Sequence, residues 1–179
     1  MKSVLLIVAF TLAFTMIFLL DVLGKRRRRR AKYLYKKAFD VFNRINWNMS
    51  AAQVKDVFKG REFFDYRERK GILFVGYRDN HNGLDTAVSF CFVNGGERLV
   101  RVKFVFFGIS KIDVDLIFER LCSLHGLPLP PDRGSEAVWD LKEGFLILRG
   151  LGAQVQLILR NKGYEYDGLI QEKPTLGFK

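Results

Sequence analysis

The sequence predicts an α+β fold, in which an N-terminal transmembrane helix is followed by helices packed on one face of an antiparallel β-sheet. Three observations predict it. An apolar run, Val4–Leu20, opens the chain. Three later segments repeat apolar residues at helical spacing. The remaining apolar segments are short, alternate in polarity and come in clusters with tight turns between them, which is typical of antiparallel strands.

Composition and charge exclude several classes of protein. The chain has 179 residues, of which 49% are hydrophobic and 27% charged, so it should fold rather than remain disordered. Its two cysteines are too few for a disulfide-rich secreted scaffold. The net charge is +11, but residues 1–37 hold 10 of the 30 basic and only one of the 19 acidic residues. The folded part is therefore nearly neutral, and we predict no nucleic-acid partner.

The apolar run Val4–Leu20 is interrupted only by two threonines. A helix of about 20 residues spans a hydrocarbon core of about 30 Å, so residues 1–24 are predicted to be a transmembrane signal-anchor. A cleaved signal peptide is the alternative. It would show a basic start, a shorter apolar run and a small-x-small cleavage site. Here the basic start is Lys2 alone, and no Ala-x-Ala follows the run.

Six consecutive basic residues follow the apolar run: Lys25, Arg26, Arg27, Arg28, Arg29 and Arg30. Lys and Arg beside a membrane span stay on the cytoplasmic side. The sequence thus predicts a single-pass protein of the inner or cytoplasmic membrane with its folded domain in the cytoplasm. Cleavage would instead place that domain in the periplasm or outside the cell. The basic run is also the predicted contact with anionic lipid headgroups.

Residues 25–45 are predicted to form a basic juxtamembrane segment and a connector helix, whose helical part is Ala31–Ile45. A second helix begins at Ser50, which forms a capping box with Gln53. A third helix is predicted over Asp113–Ser123 from its apolar spacing.

Six strands are predicted in two clusters within an α+β domain at 46–162. The first cluster comprises Ile72–Arg78, Thr86–Val93 and Leu99–Phe107, and the second Ala137–Leu141, Phe145–Arg149 and Gln154–Arg160. Asp79–Gly83 is predicted to be a turn and Asn94-Gly95 a hairpin turn. A helix followed by a strand meander occurs twice, which hints at a structural duplication. Residues 163–179 have no clear period and are predicted to be a loose tail.

The segment Trp47-Asn48-Met49-Ser50-Ala51-Ala52-Gln53-Val54, with the later meander and Gly126-Leu127-Pro128, resembles the BamE (SmpA/OmlA-like) and β-lactamase-inhibitor-protein-like α+β domains. The resemblance covers roughly Asn46–Arg160. It implies a binding or scaffold module without catalytic residues. The chain departs from the lipoproteins of that group, since it lacks their lipid-attachment cysteine and carries the basic run.

The residues able to do chemistry form no recognisable constellation. His81 lies in a predicted turn without metal ligands at a suitable spacing. His125 ends a helix, where the dipole favours a cation. Cys91 and Cys122 are predicted to be packed, reduced thiols, and a bridge between them becomes plausible only if the domain is exported. We therefore predict no catalytic residue, cofactor, metal or small-molecule substrate.

Trp47 and Trp139 are the candidate contacts with a protein partner, although either ring could instead anchor the core. Together these features predict a non-enzymatic, membrane-anchored module that binds an unidentified protein partner or stabilises a membrane complex. The alternative is an exported BamE-like or inhibitor-like periplasmic module. A membrane-tethered hydrolase or thiol enzyme using Cys122 or Cys91 is a third hypothesis.

Overall fold

The computed structural model describes residues 2–67, 71–81, 84–130 and 136–163, without the side chains of residues 2–14, 66, 67 and 81. Its helices are α1 (Lys2–Phe42), α2 (Ala51–Val57) and α3 (Lys111–His125). Its strands are β1 (Phe63–Arg67), β2 (Leu73–His81), β3 (Leu84–Val93), β4 (Arg98–Phe107), β5 (Glu136–Asp140), β6 (Gly144–Leu151) and β7 (Gln154–Asn161). The α+β class predicted from the sequence is confirmed.

The seven strands form one antiparallel sheet in the order β1-β2-β3-β4-β7-β6-β5. The meander β1-β2-β3-β4 fills one half and the meander β5-β6-β7 the other. Their last strands join the halves, with Phe104 of β4 opposite Leu157 of β7. Helix α3 connects β4 to β5, and both described edge strands have only five residues. Short edges of this kind limit pairing with other chains.

The helices cover one face of this sheet. Apolar side chains from α1, α2 and α3 join alternate residues of the strands in one buried cluster. The described helix side chains with no exposed surface are Leu34, Ala38, Val54, Ile117 and Leu121. Because strand side chains alternate between faces, the residues between the core positions lie on the opposite face of the sheet.

Helix α1 is continuous from Lys2 to Phe42 and passes through Gly24 and the whole basic run. At 1.5 Å per residue its 41 residues extend for about 60 Å. Only its last part belongs to the domain, where Ala31, Leu34, Ala38, Val41 and Phe42 are buried. The segment predicted as a connector thus contributes to the core.

The predicted start of the second helix is confirmed. Ser50 caps α2, its hydroxyl accepts a hydrogen bond from the Gln53 amide, and the Gln53 side chain accepts one from the Ser50 amide. The Asn94-Gly95 hairpin turn is also found, as a short 3₁₀ turn between β3 and β4. Both residues have positive φ, 54° and 70°, which Asn and Gly tolerate best.

Two predictions along the first half of the sheet were wrong. Strand β1 was not predicted, because its five residues include Asp65 and do not alternate cleanly. The predicted turn Asp79–Gly83 begins too early, since Asp79, Asn80 and His81 continue β2 and pair with β3. Asn82 and Gly83, the rest of that turn, lie outside the described residues.

Alternation along Leu99–Phe107 predicts Val100 on the same face as Val102, Phe104 and Phe106, and for Val100 this is wrong. The register between β3 and β4 shifts after Cys91, so Phe92 faces Leu99 while Cys91 faces Arg101. The extra residue is a β-bulge, which turns Val100 to the face without helices. It packs there with a second, smaller buried cluster: Ile72, Cys91 and Val93.

The described part of the chain contains no helix that is both long and apolar enough to cross a membrane. Much of the run Val4–Leu20, on which the anchor prediction rests, lies among the side chains that are not described. Residues 164–179 of the predicted tail lie outside the described residues too, as does the His81 side chain.

Candidate functional site

A cavity of about 510 Å³ lies at one flank of α1, where this helix meets the turn after α2 and strand β2. Three elements line it. Helix α1 provides Tyr33, Lys36, Lys37, Asp40, Val41 and Arg44, the turn after α2 provides Phe58, Lys59 and Arg61, and β2 provides Tyr77 and Asp79. We call it the basic cavity, because five of these side chains are cationic and two are carboxylates.

The α1 residues of the basic cavity recur at intervals of three and four. This spacing places them on one side of the helix, next to the stripe of Leu34, Ala38 and Val41 that enters the core. The core stripe therefore fixes the rotation of α1 and directs the polar side toward β2 and the turn after α2.

Asp79 organises the centre of the basic cavity. Its Oδ2 lies 2.9 Å from the Lys37 Nζ and 3.1 Å from the Arg61 Nη1. Burial would raise the pKa of Asp79, but hydrogen bonds and charge from Lys37 and Arg61 together hold it below its ordinary value. The carboxylate stays ionised and holds two cations beside each other with a net charge of +1.

Two aromatic rings support the arginines of the basic cavity. The Arg44 guanidinium lies 4.6 Å from the centre of the Phe58 ring and donates a hydrogen bond to the Val57 carbonyl. Arg61 lies 5.6 Å from the centre of the Tyr77 ring. Burial, the largest effect, raises the pKa of the Tyr77 phenol to about 12, so this hydroxyl is neutral at physiological pH.

The remaining lysines of the basic cavity, Lys36 and Lys59, are exposed. Among the described residues, neither has a carboxylate within ion-pair distance. The basic cavity thus combines a fixed pair of cations at its centre with two unpaired cations at its rim. Such an arrangement attracts and orients an anion.

Helix α1 projects beyond the domain on its N-terminal side. Five successive apolar residues, Met16–Leu20, each expose between 56% and 66% of their surface. Five consecutive positions go more than once around a helix, since each residue turns it by about 100°. The helix is therefore apolar on every side along this stretch.

The six residues predicted to contact lipid, Lys25–Arg30, lie in different environments in the structure. Arg26, Arg27, Arg28 and Arg29 are exposed. Lys25 forms an ion pair of 2.6 Å with Asp21, one turn earlier. Arg30 turns back to the domain, where it donates a hydrogen bond to the Gly108 carbonyl and lies 3.9 Å from the buried carboxylate of Asp113.

The two tryptophans predicted as partner contacts lie in different environments. Trp139 is only 2% exposed, packs beside Phe118 and donates a hydrogen bond from its indole to the Gly126 carbonyl. Trp47 is half-buried and packs against the main core cluster. A partner contact by Trp47 stays a prediction, whereas the indole of Trp139 faces the interior.

The cysteines and His125 are not brought together as a reactive site. Cys91 is buried on the helix-free face of the sheet, while Cys122 packs on the other face, and no disulfide joins them. The His125 ring stacks on Phe39 and burial lowers its pKa, so it is less easily protonated than its place at a helix end suggested. Within the described ranges, no group of three or more potential ligands could hold a metal.

Sequence reasoning missed the basic cavity. The spacing of the polar residues on α1 is visible in the sequence and could have indicated a cationic stripe. The pairing of Lys37 and Arg61 with Asp79 could not be predicted from the sequence, because these residues belong to three elements that are distant along the chain. It also depends on Asp79 lying in a strand, where the sequence predicted a turn.

Comparison with protein-family profiles, curated proteins and solved structures finds no match for this chain. The resemblance to the BamE and β-lactamase-inhibitor-protein-like domains therefore stays a prediction.

Proposed function

We propose that this chain is a single-pass membrane-anchored binding module, which holds its α+β domain at the cytoplasmic surface of the membrane and engages a partner there. The observation that carries the proposal is the exposed stretch Met16–Leu20 of α1, apolar on every side. A helix with this property is stable when it is buried in a bilayer or in a large protein core. The apolar sequence upstream, from Val4 onward, supports the bilayer.

The charges after this stretch support the orientation. Arg26–Arg29 are exposed at the point where α1 leaves the apolar stretch, so they can meet anionic headgroups, each worth about 1 kcal/mol near the surface. Because α1 continues without a break into the core, an anchor formed by its N-terminal part would join the domain without an intervening loop. The membrane would then determine how the domain is presented to its partner.

A binding role fits the groups that the domain brings together. The basic cavity assembles cations around one carboxylate, and this carboxylate, Asp79, is engaged in ion pairs with Lys37 and Arg61. We therefore propose recognition rather than catalysis at this site.

The proposal is tested by extracting cell membranes with alkaline carbonate, which releases peripheral proteins. The natural chain should remain in the membrane pellet. A variant with Leu12→Arg and Ile17→Arg should leave it, because arginines within a span cost about 2.5–3.5 kcal/mol each. Leu127→Arg with Leu129→Arg is the matched control, since it places the same charges in an exposed loop of the domain. Release of the natural chain by carbonate would overturn the proposal.

The orientation is tested separately by adding protease to intact cells and to spheroplasts that carry a C-terminally tagged chain, because spheroplasts also expose a periplasmic domain. Full protection, with an uncut N-terminus by mass spectrometry, is the expected result. Digestion from outside would overturn the cytoplasmic placement and support an exported module instead.

A further inference from the structure

We propose that the basic cavity binds a phosphate monoester, carried either by a small soluble molecule or by a lipid headgroup. A phosphate monoester presents three acceptor oxygens and nearly two negative charges at neutral pH. The basic cavity offers five cations against two carboxylates, which leaves an excess of three positive charges for such a group.

The central cations are arranged before any ligand arrives. Asp79 binds both the Lys37 ammonium and the Arg61 guanidinium, and the Tyr77 ring supports Arg61 from one side. Side chains already held in place lose less conformational freedom when a ligand binds. An arginine also presents a planar fork that matches two phosphate oxygens.

The rim supplies charge that is not already compensated. Lys36 comes from α1 and Lys59 from the turn after α2, so an anion between them would join two elements. A volume of about 510 Å³ exceeds the space a phosphate needs and leaves room for the group esterified to it.

The distance between the basic cavity and the membrane determines which of the two sources of phosphate can reach it. Tyr33 lies ten residues beyond Leu23 and Lys36 thirteen, which corresponds to about 15–20 Å along α1. A headgroup layer is about 5–8 Å thick on each side. An upright α1 therefore favours a soluble phosphate ester, whereas a tilted α1 allows a lipid phosphate to reach the basic cavity. Only the lipid source rests on the membrane anchoring proposed above.

Titration calorimetry on the full chain in nonionic detergent micelles tests the proposal. The probes are inorganic phosphate, glycerol 3-phosphate, dioctanoyl phosphatidic acid and dioctanoyl phosphatidylglycerol, the last being a phosphodiester. At least one monoester probe should bind, and the affinity should fall as salt is raised. Lys36→Ala with Lys59→Ala should weaken binding at least about tenfold, as expected when charged contacts are lost.

Lys111→Ala with Lys142→Ala is the matched control, because it removes two exposed positive charges away from the basic cavity. Binding of glycerol 3-phosphate that depends on Lys36 and Lys59 supports the soluble source. Dependent binding of phosphatidic acid alone supports the lipid source. The proposal is overturned if no monoester probe binds, or if the two double variants weaken binding equally. Carbonate extraction does not depend on Lys36 or Lys59. Failure of the phosphate-binding proposal in calorimetry is therefore distinguishable from failure of the membrane-anchor proposal in the extraction experiment.

Discussion

At Gly76, in the middle of β2, a side chain has no room. A Cβ built there would lie 2.5 Å from the Phe64 ring and 2.8 Å from the Val88 carbonyl oxygen. We expect Gly76→Ala to lower the free energy of unfolding by about 1–3 kcal/mol, as overpacking typically does. Chemical denaturation of the full chain in detergent, followed by circular dichroism, measures the effect.

Gly150→Ala is the control for this substitution. Gly150 also lies in a strand of the sheet, but a Cβ there meets nothing within 4 Å. Equal unfolding free energies for the two variants would contradict the close packing of Phe64 over β2.

Single residues also show what the sequence could reveal. The capping box at Ser50 was predictable because all its interactions lie within four residues. A second box, in which Ser110 and Asp113 cap α3, went unnoticed because its acidic partner is an aspartate. The role of Asp79 was beyond sequence reasoning, because its partners Lys37 and Arg61 come from two other elements.

Helix α1 is one element with two environments, and the same substitution should have a large effect on stability in one part and almost none in the other. Leu34 is fully buried in the core, whereas Leu23 is 45% exposed on the projecting part. We expect Leu34→Ala to lower the free energy of unfolding of the domain by about 2–5 kcal/mol through cavity formation. Leu23→Ala should change it by less than about 0.5 kcal/mol.

Thermal unfolding of the full chain in detergent, followed by near-ultraviolet circular dichroism, distinguishes these outcomes. The signal from the domain aromatics reports packing rather than helix content. A similar melting temperature for both variants would show that the domain folds without the support of α1.

At the scale of elements, the predictions succeeded where local chemistry determined the structure. The α2 cap, the Asn94-Gly95 turn and the alternating strand β3 each carry their own signal. Strand β1 does not, because a short edge strand forms only when a neighbour is present to pair with it. The bulge at Val100 was equally hidden, since the one-residue shift appears only when β4 is aligned with β3.

The sheet gives the whole molecule two different faces, one covered by helices and one without them. The two cysteines lie on different faces, which determines whether they can form a disulfide. The sheet separates Cys91, buried on the helix-free face with 1% exposure, from Cys122, which packs on the helix-covered face. A disulfide requires the two Cα atoms to lie within about 7 Å of each other, on the same side of such a layer. The bridge that the sequence alone left open for an exported domain is therefore incompatible with this fold.

We accordingly expect no intramolecular disulfide when the folded chain is treated with a mild oxidant such as diamide. Alkylation with iodoacetamide, followed by mass spectrometry, should modify the half-buried Cys122 first and Cys91 only after denaturant is added. Oxidation in denaturant is the control, because an unfolded chain lets the two thiols meet. Formation of the bridge in the folded chain would contradict the placement of the Cys91 side chain and helix α3 on opposite faces of the sheet. That result would mean that the chain folds differently from the structure described, whether the domain is cytoplasmic or exported.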